Sequence, residues 1–308
     1  MENADNRKEY RFFLLHTDIT ENTAAALIYQ VSKFPHFSID IVNVGEYITG
    51  YDFFTENRPN FTKEAYFRLL IPELLPLYDK IIYLDGDLVC LFDISELYNI
   101  NLGDNLIAAA RDLSGINRFL NIWSDIGEKK RDLKNDMQVI TDYFNSGVVI
   151  LNNSQLKKTI SSTELLDLAV SKNWKNHDQD VLNFVTEGKT HFLPYEWNFI
   201  YTGNLNNLPE QSRREYSEAK KSPKIIHFAG IRDKPWLNPL NVPHFELFWK
   251  YATRTPFINI IVDRMRDMKL INKTSQEFVL SEIKNQKGIM WFTLKCIMTW
   301  LQKNKANN

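Results

Sequence analysis

KIIYLDGDLVC, residues 80–90, begins with an apolar run and ends it on two carboxylates separated by a single glycine. A short apolar run bounded by turn residues predicts a strand buried on both faces. Outward from it, RFFLLH (11–16) and FSIDIVN (37–43) read as strands on either side of a helical stretch, NTAAALIYQVSKF (22–34). Strand, helix, strand is the pattern of a parallel βαβ unit. FTKEAYFRLLIPELLP (61–76) has helical spacing, with Pro72 predicting a kink or break. LIAAA (106–110), GVVILN (147–152), THFLP (190–194) and KIIHFAG (224–230) are further strands. TELLDLAV (163–170) and DVLNFVTEG (180–188) are helices, the second stopped by Gly188. The alternation predicts an α/β fold with a mostly parallel sheet.

Composition bounds the function. The chain has 308 residues, is 44% hydrophobic and 24% charged, and sets 37 lysines and arginines against 38 acids. That is an ordinary soluble globular balance, without the basic field that nucleic acid requires. Two cysteines, Cys90 and Cys296, make no disulfide framework and predict a reducing cytosol. The polar lead at 1–10 has no secretory apolar core. The longest apolar run (288–301) is interrupted by Lys295 and falls short of the ~20 residues of a membrane-spanning helix. From 254 onward the sequence becomes helical, basic and aromatic, and 281–308 holds five lysines and one acid, Glu282, among Trp291, Phe292 and Trp300. Two readings stand for that tail: an attachment to an anionic membrane surface, or a packed helix with solvated lysines. The organisation predicted is a lead (1–10), a main domain (11–253) and a tail (254–308).

Asp85 and Asp87 stand two apart, so on an extended chain their side chains share a side. Two bare carboxylates ~5 Å apart repel by ~3 kcal/mol at an effective dielectric of ~20. A hard divalent cation, Mn2+ or Mg2+, relieves this and is commonly shared with phosphates; a solvated turn is the alternative. Gly86 gives a ligand close access to the backbone. His227 ends a second apolar strand, and Lys234-Pro235-Trp236 follows it, a cation suited to a diphosphate. Asn145, Ser146 and Gly147 precede a strand, as polar groups or as a plain turn. Asp178, Gln179 and Asp180 crowd a helix start, where Asp178 would also serve as an N-cap.

Taken together, RLLIPELLPLYDKIIYLDGDLV, YFNSGVVILN, DQDVLN, the Trp197-Asn198 pair and IIHFAG with KPW resemble glycosyltransferase family 8, over about residues 11–250. The resemblance implies a GT-A fold, a Rossmann-like mixed and mostly parallel sheet flanked by helices. It implies retaining transfer of a hexose from UDP-glucose or UDP-galactose to a lipopolysaccharide or other glycan acceptor, lipid-linked ones included. Carried over, Asp85, Asp87 and His227 match the metal ligands, and Lys234, beside Gly230, matches the lysine on the diphosphate. Arg68, Asp112, Asn145, Ser146, Asp178 and Gln179 match positions lining the donor sugar, with Gln179 on the reacting face and Asp180 beside it. A peripheral position on the cytoplasmic membrane face follows from the same resemblance and the basic tail.

The family opens with a strand and helix ahead of the segment matching RFFLLHTDIT, whereas only MENADNRKEY precedes it here. The expectation is a chain lacking that first βα unit, which leaves a second reading open, a catalytically impaired remnant. IRD also sets Gly230 one residue farther from Lys234 than in similar sequences. A third reading, a phosphohydrolase of the haloacid dehalogenase type, rests on LDGDLV alone; that class carries its dyad near the N-terminus and has no place for the DQDVLN and HFAG…KPW blocks.

Overall fold

A computed structural model describes residues 1–55, 62–113, 142–202, 205, 208–230, 234–238, 240–267, 277–278 and 281. The basic segment at 282–308, with its membrane reading, lies outside the described residues. The chain divides into two compact units, Met1–His227 and Phe228–Asn308.

In the first unit β1 (Tyr10–His16) and β2 (Phe37–Asn43) pair in parallel, joined through α1 (Glu21–Ser32). This is the expected βαβ arrangement, and Thr20 caps α1 by accepting a hydrogen bond from the Thr23 amide. The 61–76 stretch is not one α-helix. Lys63–Leu70 winds as a 3-10 helix, and a single α-turn, α2 (Ile71–Leu74), follows with Pro72 in its first turn. There the missing N–H of proline costs nothing.

β3 (Lys80–Leu84) belongs to a four-stranded sheet of order β3-β6-β5-β7, with β5 at Ile107–Arg111, β6 at Phe144–Asn152 and β7 at Thr190–Leu193. β4 (Leu88–Cys90) pairs with β8 (Ile225–His227). In place of a mostly parallel arrangement the pairing is mixed. β6 runs antiparallel to both β3 and β5, β4 runs antiparallel to β8, and β5 runs parallel to β7. The reason is topological. Helix alternation reports crossovers between successive strands, but β6 pairs with β3 from far along the chain, and no local pattern sets that direction.

The central strands β5 and β6 are buried on both sides and read as nearly unbroken apolar runs, whereas β3, expected to be buried on both faces, is an edge strand and only partly buried, as is most of β7. Ile107, Ala109, Val149 and Leu151 face one core, with Tyr66, Leu69, Leu165, Leu166 and Val181. Ala108, Ala110, Val148, Ile150 and Leu193 face the other, with Leu97, Trp197 and Ile225. α3 (Ile94–Tyr98), α4 (Asn153–Thr159), α5 (Ser162–Val170), α6 (Asp178–Val185) and α7 (Glu210–Lys221) complete this unit. The second unit is built on α8 (Phe245–Ala252) and α9 (Ile258–Asp267) around Trp249, Ile258 and Met265. Among the described residues no helix is long and apolar enough to cross a membrane.

Candidate active site

Because β6 is antiparallel to both neighbours, its first residues lie against the last residues of β3 and β5. Asp85 follows β3 and donates its amide to Gly147 O at 2.8 Å; Asp112 follows β5 and donates its amide to Tyr143 O at 2.9 Å. Asn145, Ser146 and Gly147 therefore sit inside β6, not in a turn before it. Asp87 immediately precedes β4, whose Leu88 pairs with His227 at the end of β8. The ends of β3, β5 and β8 and the starts of β4 and β6, from two sheets, thus converge on one rim.

At that rim one ligand atom each from Asp85, Asp87 and His227 lies within 4.8 Å of the others. His227 Nε2 stands 3.1 Å from Asp87 Oδ1 and 3.7 Å from Asp85 Oδ2. The other edge of the imidazole, Nδ1, lies 2.8 Å from Asn198 Oδ1. The set fits a hard divalent cation: two carboxylates and an imidazole are suitable donors, and adjacent ligands on a six-coordinate ion with ~2.1 Å bonds stand ~3 Å apart. Gly147 makes room for this. A Cβ there would lie 2.2 Å from His227 Cε1 and 2.8 Å from Asp85 Oδ2, so any side chain would displace two of the three donors. A Cβ at Gly86 meets no protein atom within 4 Å, and that backbone is open to a ligand.

Beside the triad lies a buried polar floor. Arg68, from the 3-10 segment, reaches Asp85 Oδ1 and Asp178 Oδ2, both at 2.9 Å, and also donates to Ser146 O. Its guanidinium lies 4.1 Å from the Tyr83 ring centroid. Tyr83 donates to the same Asp85 oxygen at 2.8 Å, which leaves Oδ2 to face His227. Burial pushes the Asp178 carboxyl up to about 6; Arg68 and Ser146 oppose the rise and Asp85 adds to it. Burial works to lower Arg68, but Asp178 and Asp85 together outweigh it and hold the guanidinium above its ordinary value.

Gln179 has both ends of its amide engaged. Its Oε1 accepts from Asn145 Nδ2 (3.1 Å) and the Ser146 amide (3.0 Å), and its Nε2 donates to Asp112 Oδ2 (3.2 Å) and Tyr143 OH (3.0 Å). Asp180 is turned inward. It accepts from Tyr143 OH at 2.5 Å and from the backbone and side chain of Asn176 at 2.9 and 3.0 Å. The N-cap of α6 is His177, with Asp178 its first helical residue, so Asp178 is not the cap. His177 holds a positive φ of 53° just before these side chains, a conformation uncommon outside glycine.

Gly230 and Lys234 fall in the second unit, where Lys234 Nζ donates to Phe228 O at 2.6 Å and lies 5.6 Å from the Trp236 ring centroid. The other expected residues all belong to the first unit, and hydrogen bonds and ion pairs join all of them but Gly86. Sequence reasoning gave no role to Tyr83, Tyr143 or Asn198, although each lies in a stretch that carries the resemblance. Tyr83 was within reach of it, since strand periodicity puts it on the Asp85 side; the roles of the other two depend on contacts across the sheet.

A mixed sheet flanked by helices, with a carboxylate–imidazole triad at converging strand ends, is the architecture of a GT-A glycosyltransferase. The model of Glycosyl transferase family 8 matches residues 1–239, and the chain belongs to that family. It is 33% identical over 215 residues to a lipopolysaccharide 1,2-glucosyltransferase of Escherichia coli, a match covering 68% of this chain and 59% of the relative. Among solved structures, the bifunctional glycosyltransferase WbbM superposes with a TM-score of 0.70 at 28% identity, over 85% of this chain and 47% of that one. The galactosyltransferase LgtC, solved with donor and acceptor sugar analogues, shares the fold with a TM-score of 0.59 at 21% identity, over 81% and 86% of the two chains. The chain thus spans about half to three-fifths of the glucosyltransferase and of WbbM.

Proposed function

We propose that the chain transfers a hexose, glucose or galactose, from its UDP derivative to a lipopolysaccharide or other surface-glycan hydroxyl, with retention at the anomeric carbon and dependence on Mn2+ or Mg2+. The observation that carries this reading is the triad of Asp85, Asp87 and His227 set beside the polar floor of Arg68, Asp112, Asp178 and Gln179. Asp85, Asp87 and His227 would hold the cation, which would supply positive charge to stabilise a departing diphosphate.

The chain's own residues do the rest. Arg68 holds Asp85 with one oxygen turned away from the triad and one toward it. Asp112 and Asp178 supply negative charge and hydrogen-bond acceptors where positive character develops on a sugar ring. Gln179, with all four of its amide hydrogen bonds made, is a fixed dipole and a poor nucleophile. That favours same-face substitution. The acceptor oxygen bonds to the anomeric carbon as the bond from that carbon to the phosphate oxygen breaks, and the acceptor's proton passes to the departing phosphate. Asp180 acts as a positioning residue, through Tyr143 on Gln179. The basic, aromatic composition of 281–308 supports attachment to an anionic membrane surface on the cytoplasmic side.

Calorimetric titration of UDP, with and without Mn2+, tests the reading. Mn2+-dependent binding in the micromolar range is expected; a folded chain that binds UDP in neither condition would sink it. Asp87→Asn should abolish turnover with the fold intact, and near-normal UDP-sugar hydrolysis by that variant would rule out the metal assignment.

A further inference from the structure

The NSG stretch at 145–147 and the Trp197-Asn198 pair are far apart in sequence, yet a single line of amide hydrogen bonds joins them to His227. The line starts from a group whose chemistry is fixed. The Gly147 amide can only donate, and it donates to Asn145 Oδ1 at 3.0 Å, which identifies that atom as the carbonyl oxygen. The same oxygen accepts from Asn198 Nδ2 at 2.8 Å. Asn198 therefore turns its own carbonyl, Oδ1, toward His227 Nδ1, 2.8 Å away. A carbonyl oxygen can only accept, so Nδ1 must carry a proton.

We infer that Asn198 is a positioning residue that fixes His227 as the Nδ1–H tautomer, leaving Nε2 to offer its lone pair to a divalent cation beside Asp85 and Asp87. The inference rests on the metal-dependent reading above. Free histidine prefers the opposite tautomer, so the protein has to impose this one. Local topology supplies the means. Phe199 bridges in parallel to Ile226, and the His227 amide donates to Phe199 O at 2.9 Å, which locks Asn198 alongside the imidazole. Asn198 is 4% exposed, so water does not readily replace its carbonyl. Asn145 extends the line, since its Nδ2 donates to Gln179 Oε1 at 3.1 Å. One backbone N–H thus orients both the histidine and the glutamine on the reacting face.

Two readouts on the full chain test this. Long-range 1H–15N spectra of the 15N-labelled, metal-free protein at pH 8 report the ring protons directly. A protonated Nδ1 on His227 is expected in the wild type, and a bare Nδ1 overturns the inference without any variant. Mn2+ affinity, followed through the EPR signal of the free ion, is the second readout. Asn198→Ala should weaken Mn2+ binding about 10–100-fold. Asn198→Asp, which still accepts from Nδ1–H but no longer donates to Asn145 Oδ1, should keep that proton and bind Mn2+ more tightly than Asn198→Ala. Equal Mn2+ affinity in the wild type and Asn198→Ala overturns the inference alone. Absence of Mn2+ binding by the wild type removes the metal reading first, and this inference with it.

Discussion

Arg68 is 6% exposed and serves two carboxylates at once. That sharing explains an asymmetry in the cluster. The guanidinium has two partners and is held charged, whereas Asp178 must share its cation with Asp85, and its burial is only partly offset. Removing the cation strands both acids, so Arg68→Met should cost about 3–5 kcal/mol, read as a fall in the urea midpoint. Asp178 gives a pH signature of known sign. Its carboxyl titrates near 6 in the fold and near 3.8 in the unfolded chain, so the folded protein holds this proton more tightly. The resulting stabilisation is complete below about pH 4 and is lost as pH rises through about 6, amounting to about 3 kcal/mol at most. Asp178→Asn lacks this ionisation. Its stability relative to the wild type should therefore improve between pH 4 and 7, by thermal melts in parallel buffers; a flat difference would mean that Asp178 stays ionised throughout.

At the scale of elements, the site depends on α6 docking against the start of β6. Asn183, one turn beyond Gln179, makes the joint. Its Oδ1 accepts from the Phe144 amide at 2.9 Å, and its Nδ2 donates to Phe144 O at 3.0 Å and Gln179 O at 2.8 Å. Asn183→Ala leaves buried backbone groups of Phe144 without these partners, at about 1–3 kcal/mol each. We expect a loss of about 3 kcal/mol by urea denaturation, with weaker binding of the UDP-hexose, whose sugar Gln179 would face, because Gln179 loses its footing; an unchanged midpoint would show that water fills in at no cost. This joint also marks the limit of what the sequence made legible. The apolar runs of β3, β5 and β6 and the helices α1, α5 and α6 were readable from periodicity, since each is a local pattern. The position of Asn145–Gly147 inside β6 was not, because a polar NSG run reads as a turn until antiparallel pairing on both sides makes it a strand. The 3-10 winding of Lys63–Leu70 escaped for a similar reason: its side-chain spacing matches an α-helix, and burial of Tyr66, Phe67, Arg68, Leu69 and Leu70 overrides local preference.

Across the whole molecule, the Asp85–Asp87–His227 cluster and the tail were open to reading by different means. Asp85, Asp87 and His227 could be proposed as partners because each ends or begins a strand, and strand ends gather at one rim of an α/β sheet. The tail offers only composition, but composition suffices for an electrostatic prediction. Five lysines against one acid in 281–308, at about 1 kcal/mol per lysine near an anionic surface, predict reversible attachment that salt screens. The full chain should sediment with vesicles rich in phosphatidylglycerol, less so as NaCl rises, and hardly at all with neutral phosphatidylcholine vesicles. A chain ending at residue 280 should lose that sedimentation and keep its UDP affinity, since the triad and the polar floor around Arg68 all lie within Met1–His227. Vesicle binding that survives the truncation would assign the membrane contact to another surface, whereas loss of UDP affinity together with vesicle binding would make the tail part of the fold that supports the donor site.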